Sequence, residues 1–136
     1  MEKIFVDSSA FAALFLENDK DHKKAFTLFQ KLKNSKIPLY TSDYIIDETL
    51  TLLLHRSGHK QSMEAGEAIF SSDIIKIVSV YPDYFKPAWA LYKKYDDKKF
   101  SFTDVTSFTI IKDLNIKKAF SFDSDFTKAG IELIGS

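Results

Sequence analysis

The sequence predicts an α/β fold of three layers, with a mainly parallel central sheet flanked by helices. Short β-rich runs at residues 3–6, 37–40, 74–80, 118–122 and 131–134 alternate with longer segments of helical periodicity, the pattern of strands joined by helical crossovers. The stretches after most of these runs start helices: Asp7-Ser8-Ser9, Thr41-Ser42-Asp43 and Pro82. No internal repeat, low-complexity tract or linker interrupts residues 1–136, which are therefore read as one domain.

In chain order, residues 3–6 (Lys-Ile-Phe-Val) form a buried strand that feeds a helix capped by Ser8 or Ser9 and running to about residue 17. Asn18-Asp19-Lys20-Asp21 breaks that pattern. Ala25, Phe26, Leu28, Phe29 and Leu32 then repeat at helical spacing up to residue 34, with the lysines mainly on the other face. Residues 37–40 are a second strand, with Pro38 tolerated near its start. The helix after Thr41-Ser42-Asp43 carries Ile45, Ile46, Leu50, Leu52, Leu53 and Leu54 and stops at Gly58, and so much apolar surface implies burial on more than one side. A helix over residues 60–71 leads to the clearest strand, 74–80. Pro82 is placed at or near the start of an aromatic-rich helix that ends near Tyr95, and Asp96-Asp97-Lys98-Lys99 is a polar loop. A helix over 103–115, a strand over 118–122, a helical turn over 125–129 and a strand over 131–134 complete the chain.

Composition narrows the function classes. With 45% hydrophobic residues and 13 Phe in 136 residues, the chain is long and apolar enough to bury a real core. The absence of Cys excludes disulfides, thiolate zinc sites and cysteine nucleophiles, and fits a reducing compartment. No apolar run reaches the ~18 residues needed to span a bilayer, and the N-terminus enters a strand with no signal-peptide architecture, so a cytoplasmic protein away from membranes is expected. Lys+Arg and Asp+Glu each number 19, which leaves no global basic field to attract nucleic acid. The lysine clusters read mainly as solvated helix faces. His22, His55 and His59 show no paired metal-ligand spacing and read as surface histidines.

Four acids stand at comparable element ends. Asp7 follows the first strand, Glu48 lies early in its helix, Asp104 opens a helix after Ser101-Phe102-Thr103, and Asp123 follows the strand ending Ser121-Phe122. Each alone has an ordinary structural use, as a cap, a solvated helix residue or a turn former. Together they suggest a site, because ligands of a parallel α/β sheet bind beyond the carboxyl ends of its strands. Carboxylates crowded there repel, and a hard divalent cation, Mg²⁺ or Mn²⁺, relieves the repulsion in an oxygen-only shell. The chemistry this suggests is phosphodiester hydrolysis.

The ordered set Phe5-Val6-Asp7-Ser8-Ser9-Ala10, Thr41 to Thr49 with Glu48, Ser101-Phe102-Thr103-Asp104 and Phe120-Ser121-Phe122-Asp123-Ser124-Asp125-Phe126 resembles the motifs of PIN-domain ribonucleases. The likeness is greatest to VapC toxins of VapBC toxin–antitoxin pairs and covers essentially the whole chain. The resemblance implies a PIN-like three-layer fold, an acidic metal site of Asp7, Glu48, Asp104 and Asp123 with Asp125 auxiliary, and dependence on Mg²⁺ or Mn²⁺. It also implies an RNA substrate, a homodimer, and a cognate antitoxin that blocks the site. Asp7 and Asp104 are the expected direct ligands, Glu48 a ligand or the orienter of a metal-bound water, and Asp123 a ligand directly or through water. Two positions depart from the family pattern. Ser121 stands where Thr is frequent, keeping a hydroxyl, and Val105 stands where a small residue is usual. Ser9 is assigned to helix capping ahead of a role in holding Asp7. Arg56, Lys60 and the lysines of 93–99 are candidates for contacting RNA phosphates.

Of three rival readings, the first fails on length and the other two remain open. Residues 119–127 have the apolar-strand then Asp-x-Asp form of haloacid dehalogenase-type phosphatases, but that family needs a lysine and further acids downstream and only eleven residues follow Asp125. The others are a non-catalytic interaction module and a housekeeping RNA-processing nuclease.

Overall fold

The β-rich runs become five strands: β1 (Ile4–Val6), β2 (Leu39–Ser42), β3 (Ile75–Val78), β4 (Lys118–Phe120) and β5 (Glu132–Ile134). They form one sheet in the order β3-β2-β1-β4-β5, and every neighbouring pair is parallel. These relations come from a computed structural model that describes residues 2–134. Parallel neighbours cannot be joined by tight turns, so each connection carries helix. The helices are α1 (Ser8–Phe15), α2 (His22–Asn34), α3 (Asp43–Ser57), α4 (His59–Ser71), α5 (Phe85–Lys94), α6 (Phe102–Asp113) and α7 (Asp125–Lys128).

The chain leaves the central β1 toward β2 and β3 through α1 to α4, then returns past it to β4 and β5 through α5 to α7. Right-handed crossovers running in opposite directions put these two helix sets on opposite faces of the sheet. The packing agrees: α1 packs on α2 and α3, and α3 on α4, while α6 packs on α5 and α7. The direction of winding reverses between β1 and β4, which opens a crevice at their carboxyl ends.

Burial on both faces explains the apolar strands. All of β1 is buried, registered against Leu39 on one side and against Lys118, Ala119 and Phe120 on the other. Beneath α6, Phe100, Phe108 and Phe126 meet edge-on, with ring centroids 5.1 and 5.3 Å apart along the chain of contacts. This geometry suits the ring quadrupoles. Phe126 is fully buried and pins the segment between β4 and α7 to the core.

Several expected boundaries shift. The second strand starts at Leu39, after Pro38, and runs on to Ser42, so the cap residues of α3 belong to it. The strand expected over 74–80 is shorter and half exposed, because it lies at the sheet edge with Ile77 turned outward. Pro82 lies in a turn, after a cis Tyr81–Pro82 bond, and α5 begins three residues later. Apolar burial of α3 is on two sides as expected, yet Leu54 is 43% exposed. Among the described residues no helix is long and apolar enough to cross a membrane.

Candidate active site

The crevice beyond β1 and β4 holds a cleft of about 370 Å³ whose lining includes Asp7, Glu48, Asp104 and Asp123. Residues from four distant stretches of sequence therefore meet on one surface. Asp125 lies outside that lining but belongs to the tightest group of acids: carboxylate oxygens of Asp104, Asp123 and Asp125 all lie within 4.8 Å of one another. Asp125, expected as an auxiliary acid, thus stands with Asp104 and Asp123 at the β4–α7 side of the cleft.

Local folding fixes each acid. Asp7 directly follows β1 and is itself the N-cap of α1, correcting the expectation that Ser8 or Ser9 caps this helix. Extended backbone at Asp7 aims its carboxylate at the first turn, where Oδ2 accepts from the Ser9 amide at 3.4 Å and the Ser9 hydroxyl at 2.9 Å. The Ser121 hydroxyl donates to the same oxygen at 3.0 Å. Each serine has one proton to give and spends it on Asp7. Each then accepts a backbone amide, Ser9 from Phe122 at 2.9 Å and Ser121 from Asp123 at 3.0 Å. Ser9 is therefore a clasp between the β1 and β4 ends, the role ranked second in the sequence reading. Ser121 supplies the hydroxyl function expected of it.

The other acids follow the same pattern. Ser8 donates to Glu48 Oε1 at 2.5 Å, tying α3 to the start of α1. Asp104 closes a capping box on α6: its amide donates to Ser101 Oγ at 3.0 Å while its Oδ2 accepts from the Ser101 amide at 3.1 Å. Asp123 Oδ1 accepts from the Asp125 amide at 2.9 Å, an Asx turn that starts α7. Each of these four carboxylates gives one oxygen to the scaffold, and its second oxygen takes no hydrogen bond from a described residue. No buried side-chain polar atom among the described residues is left without a partner, so the second oxygens face the cleft. Val105, the departure from the family pattern, is fully buried in the core behind Asp104.

Burial and mutual repulsion weigh on the acids of the cleft. Burial pushes the Asp7 carboxyl above its ordinary value, against the hydrogen bonds from Ser9 and Ser121 that lower it. Burial also pushes Asp104 up to about 6, opposed by its bond from Ser101 and reinforced by the charges of Asp7, Asp123 and Asp125. Among the described residues none of Asp7, Glu48, Asp104 and Asp123 is ion-paired, and only Asp125 meets a lysine, Lys128, at 3.6 Å. An all-oxygen donor set, like-charged and with a basic partner only at Asp125 among the described residues, fits a hard divalent cation.

Sequence reasoning named Arg56 as a candidate for RNA phosphate contact but missed the loop that meets it here. Asp19, Lys20 and Asp21 of the α1–α2 loop and Arg56 of α3 complete the wall of the cleft. The turn chemistry of Asn18 to Asp21 signalled a loop, but nothing local told where it docks. A larger apolar cavity of about 660 Å³, lined by Phe11, Phe15, Phe26 and Phe29 among others, holds no convergent acids and offers no comparable chemistry.

Comparison with known proteins agrees with this architecture. Residues 4–132 match the PIN domain family. Over 128 residues the chain is 38% identical to the 23S rRNA-specific endonuclease VapC20 of Mycobacterium tuberculosis, covering 93% of this chain and 94% of the relative. The crystal structure of M. tuberculosis VapC20, described as a sarcin–ricin loop cleaving toxin, superposes with a TM-score of 0.83 at 35% identity over 94% of this chain and 95% of that one. The fold is also shared with FitAcB of Neisseria gonorrhoeae (TM-score 0.69, 14% identity, 96% of both chains). It is shared as well with VapBC2 of Rickettsia felis (TM-score 0.71, 7% identity, 97% of both chains).

Proposed function

The chain belongs to the PIN-domain family, and on that premise we propose that it is a metal-dependent endoribonuclease that hydrolyses RNA phosphodiester bonds as the toxin of a toxin–antitoxin pair. The observation that carries the reading is the cleft in which Asp7, Glu48, Asp104 and Asp123 each offer an unengaged oxygen with no basic partner. The free oxygens of Asp7, Asp104 and Asp123, with Asp125 beside them, would hold Mg²⁺ or Mn²⁺. Such a cation supplies Lewis-acid chemistry, neutralising phosphoryl charge and making water a better nucleophile.

The chain's own residues do the rest. Ser9 and Ser121 fix Asp7 so that its position does not depend on the ligand. Glu48, steadied by Ser8, has an oxygen available to accept a proton or hydrogen bond from water beside the scissile phosphate. Asp104 and Asp123 sit on helix starts and tight turns, rigid elements that keep the donor set from collapsing when the charges repel.

The likeness to VapC20 supports 23S rRNA, at the sarcin–ricin loop, as the substrate. It supports a cognate antitoxin as inhibitor and the cytoplasm as the place of action. Exposed Phe26, Phe70, Tyr81 and Trp89 support protein partners, the antitoxin and a second copy of the chain. The test is cleavage of a sarcin–ricin loop hairpin and unrelated RNAs with Mn²⁺, with Mg²⁺ and with EDTA, alongside Asp7→Asn and Asp104→Asn. Metal-dependent cleavage lost in both variants is the expected result. Cleavage that survives EDTA, or persists in both variants, overturns the reading.

A further inference from the structure

The cleft carries six acids, Asp7, Asp19, Asp21, Glu48, Asp104 and Asp123, against two cations, Lys20 and Arg56. A polyanionic strand entering such a surface needs a cationic foothold near it. Glu48, Leu52 and Arg56 recur every fourth residue, so they share one face of α3. At ~1.5 Å per residue, Arg56 stands about 12 Å along the helix from Glu48. That places it on the same cleft wall as Glu48, about two turns further along the helix.

The Arg56 end of the cleft is a built arrangement. Asp19 Oδ1 accepts from the Asp21 amide at 2.8 Å, which locks the Asp19 carboxylate in an Asx turn. Its Oδ2 then faces Arg56 Nη1 at 3.9 Å. The Arg56 side chain is 58% exposed, and at that separation the pair contributes little to stability. The contact sets the guanidinium against the α1–α2 loop at the wall of the cleft. Arg56 has no other ion pair among the described residues, so most of its donors point to solvent. A planar guanidinium of this kind takes a phosphate through two parallel hydrogen bonds, which a lysine cannot imitate.

We propose that Arg56, aimed by Asp19, is a phosphate clamp that grips one backbone phosphate of the RNA away from the scissile linkage and so sets the direction in which the strand crosses the acids. The proposal rests on the endoribonuclease reading for its substrate. The competing account is that Arg56 only complements the carboxyl end of α3 as a solvated cation.

The experiment measures fluorescence anisotropy of a labelled sarcin–ricin loop hairpin binding to Asp104→Asn protein, with and without Arg56→Gln or Arg56→Lys, over a series of NaCl concentrations. A parallel set of hairpins carries single uncharged methylphosphonate linkages. Arg56→Gln is expected to weaken binding about tenfold and to reduce the salt slope by about one, with Arg56→Lys recovering only part of the affinity. Asp104→Asn protein should lose affinity at one methylphosphonate position outside the scissile linkage, and Arg56→Gln should be indifferent to that same substitution. Identical affinity, salt slope and methylphosphonate profile with and without Arg56 would overturn the clamp, as would failure of the Asp104→Asn protein to bind the hairpin. Thermal melting and Mn²⁺ titration of Arg56→Gln, both expected to match wild type, exclude misfolding as the cause. Wild-type cleavage assayed alongside separates the two ideas: binding that depends on Arg56 without any cleavage sinks the endoribonuclease reading and leaves the clamp standing.

Discussion

Titrating Mn²⁺ into the protein at pH 6 is expected to expel about half a proton from Asp104 alone, because its carboxyl is pushed up to about 6 and a cation binds only the ionised form. The same shift sets the pH dependence of affinity. At pH 5 about ten of every eleven Asp104 carboxyls hold a proton, so binding should be roughly tenfold weaker than at pH 8, where nearly none do. A carboxyl at its ordinary value of 3.8 would weaken binding by less than about 10% at pH 5. Asp7, also raised, adds to the effect in the same direction. The assay is calorimetry in buffers of different ionisation enthalpy, where the slope of observed heat against that enthalpy counts the protons released. Asp104→Asn should bind more weakly and lose its share of the proton release. A zero slope at pH 6 together with affinity flat from pH 5 to 8 would refute the claim that burial and crowding of the acids define this site.

The folding counterpart has a fixed sign. Asp104 binds its proton more readily folded than unfolded, so its effect is neutral below about 3.8 and turns against folding as pH rises to about 6. Metal-free Asp104→Asn should therefore gain stability over wild type across that window in urea denaturation, and show no such gain below it. Asp7→Asn is expected to cut the cleavage rate by about a hundredfold or more with melting temperature unchanged or higher, measured by single-turnover kinetics and calorimetry. Ser9→Ala strands the Phe122 amide and removes a donor to Asp7, and should cost about 1–3 kcal/mol in urea denaturation and weaken Mn²⁺ binding. Phe126→Ala empties a fully buried site against Phe108 and should cost about 3–5 kcal/mol, with loss of Mn²⁺ affinity because Asp123 and Asp125 ride on that segment.

The α/β class and most of the elements were legible because apolar period and cap chemistry are local signals. Ser42 and Gly58 each mark a helix end where the sequence suggests one. Boundaries failed where tertiary context overrides propensity. Residues 74–80 read as a long strand, but only Ile75 to Val78 have a partner, β2, to pair with at the sheet edge. Pro82 suits a first helical turn by its fixed φ, yet here it occupies the turn before α5. Four acids were found from their places after strands and at helix starts, since the carboxyl edge of a parallel sheet is one place. The Ser9 clasp was underrated because its two partners, Phe122 and Ser121, lie more than a hundred residues away. The docking of Asp19 against Arg56 was invisible for the same reason: no periodicity encodes which loop meets which helix.

Each principal acid gives one oxygen to a backbone amide or serine hydroxyl and keeps the other for the cleft. Asparagine keeps an oxygen acceptor of the same reach, and a single nucleotide change in either aspartate codon produces it. On the proposed reading, a chain of this design falls silent on substitution at Asp7, Asp104 or Asp123 without losing the caps and turns that those residues build. Lineages that carry it would accumulate folded, inert copies more readily than unfolded ones, and such copies would still be able to occupy whatever partners the active form binds.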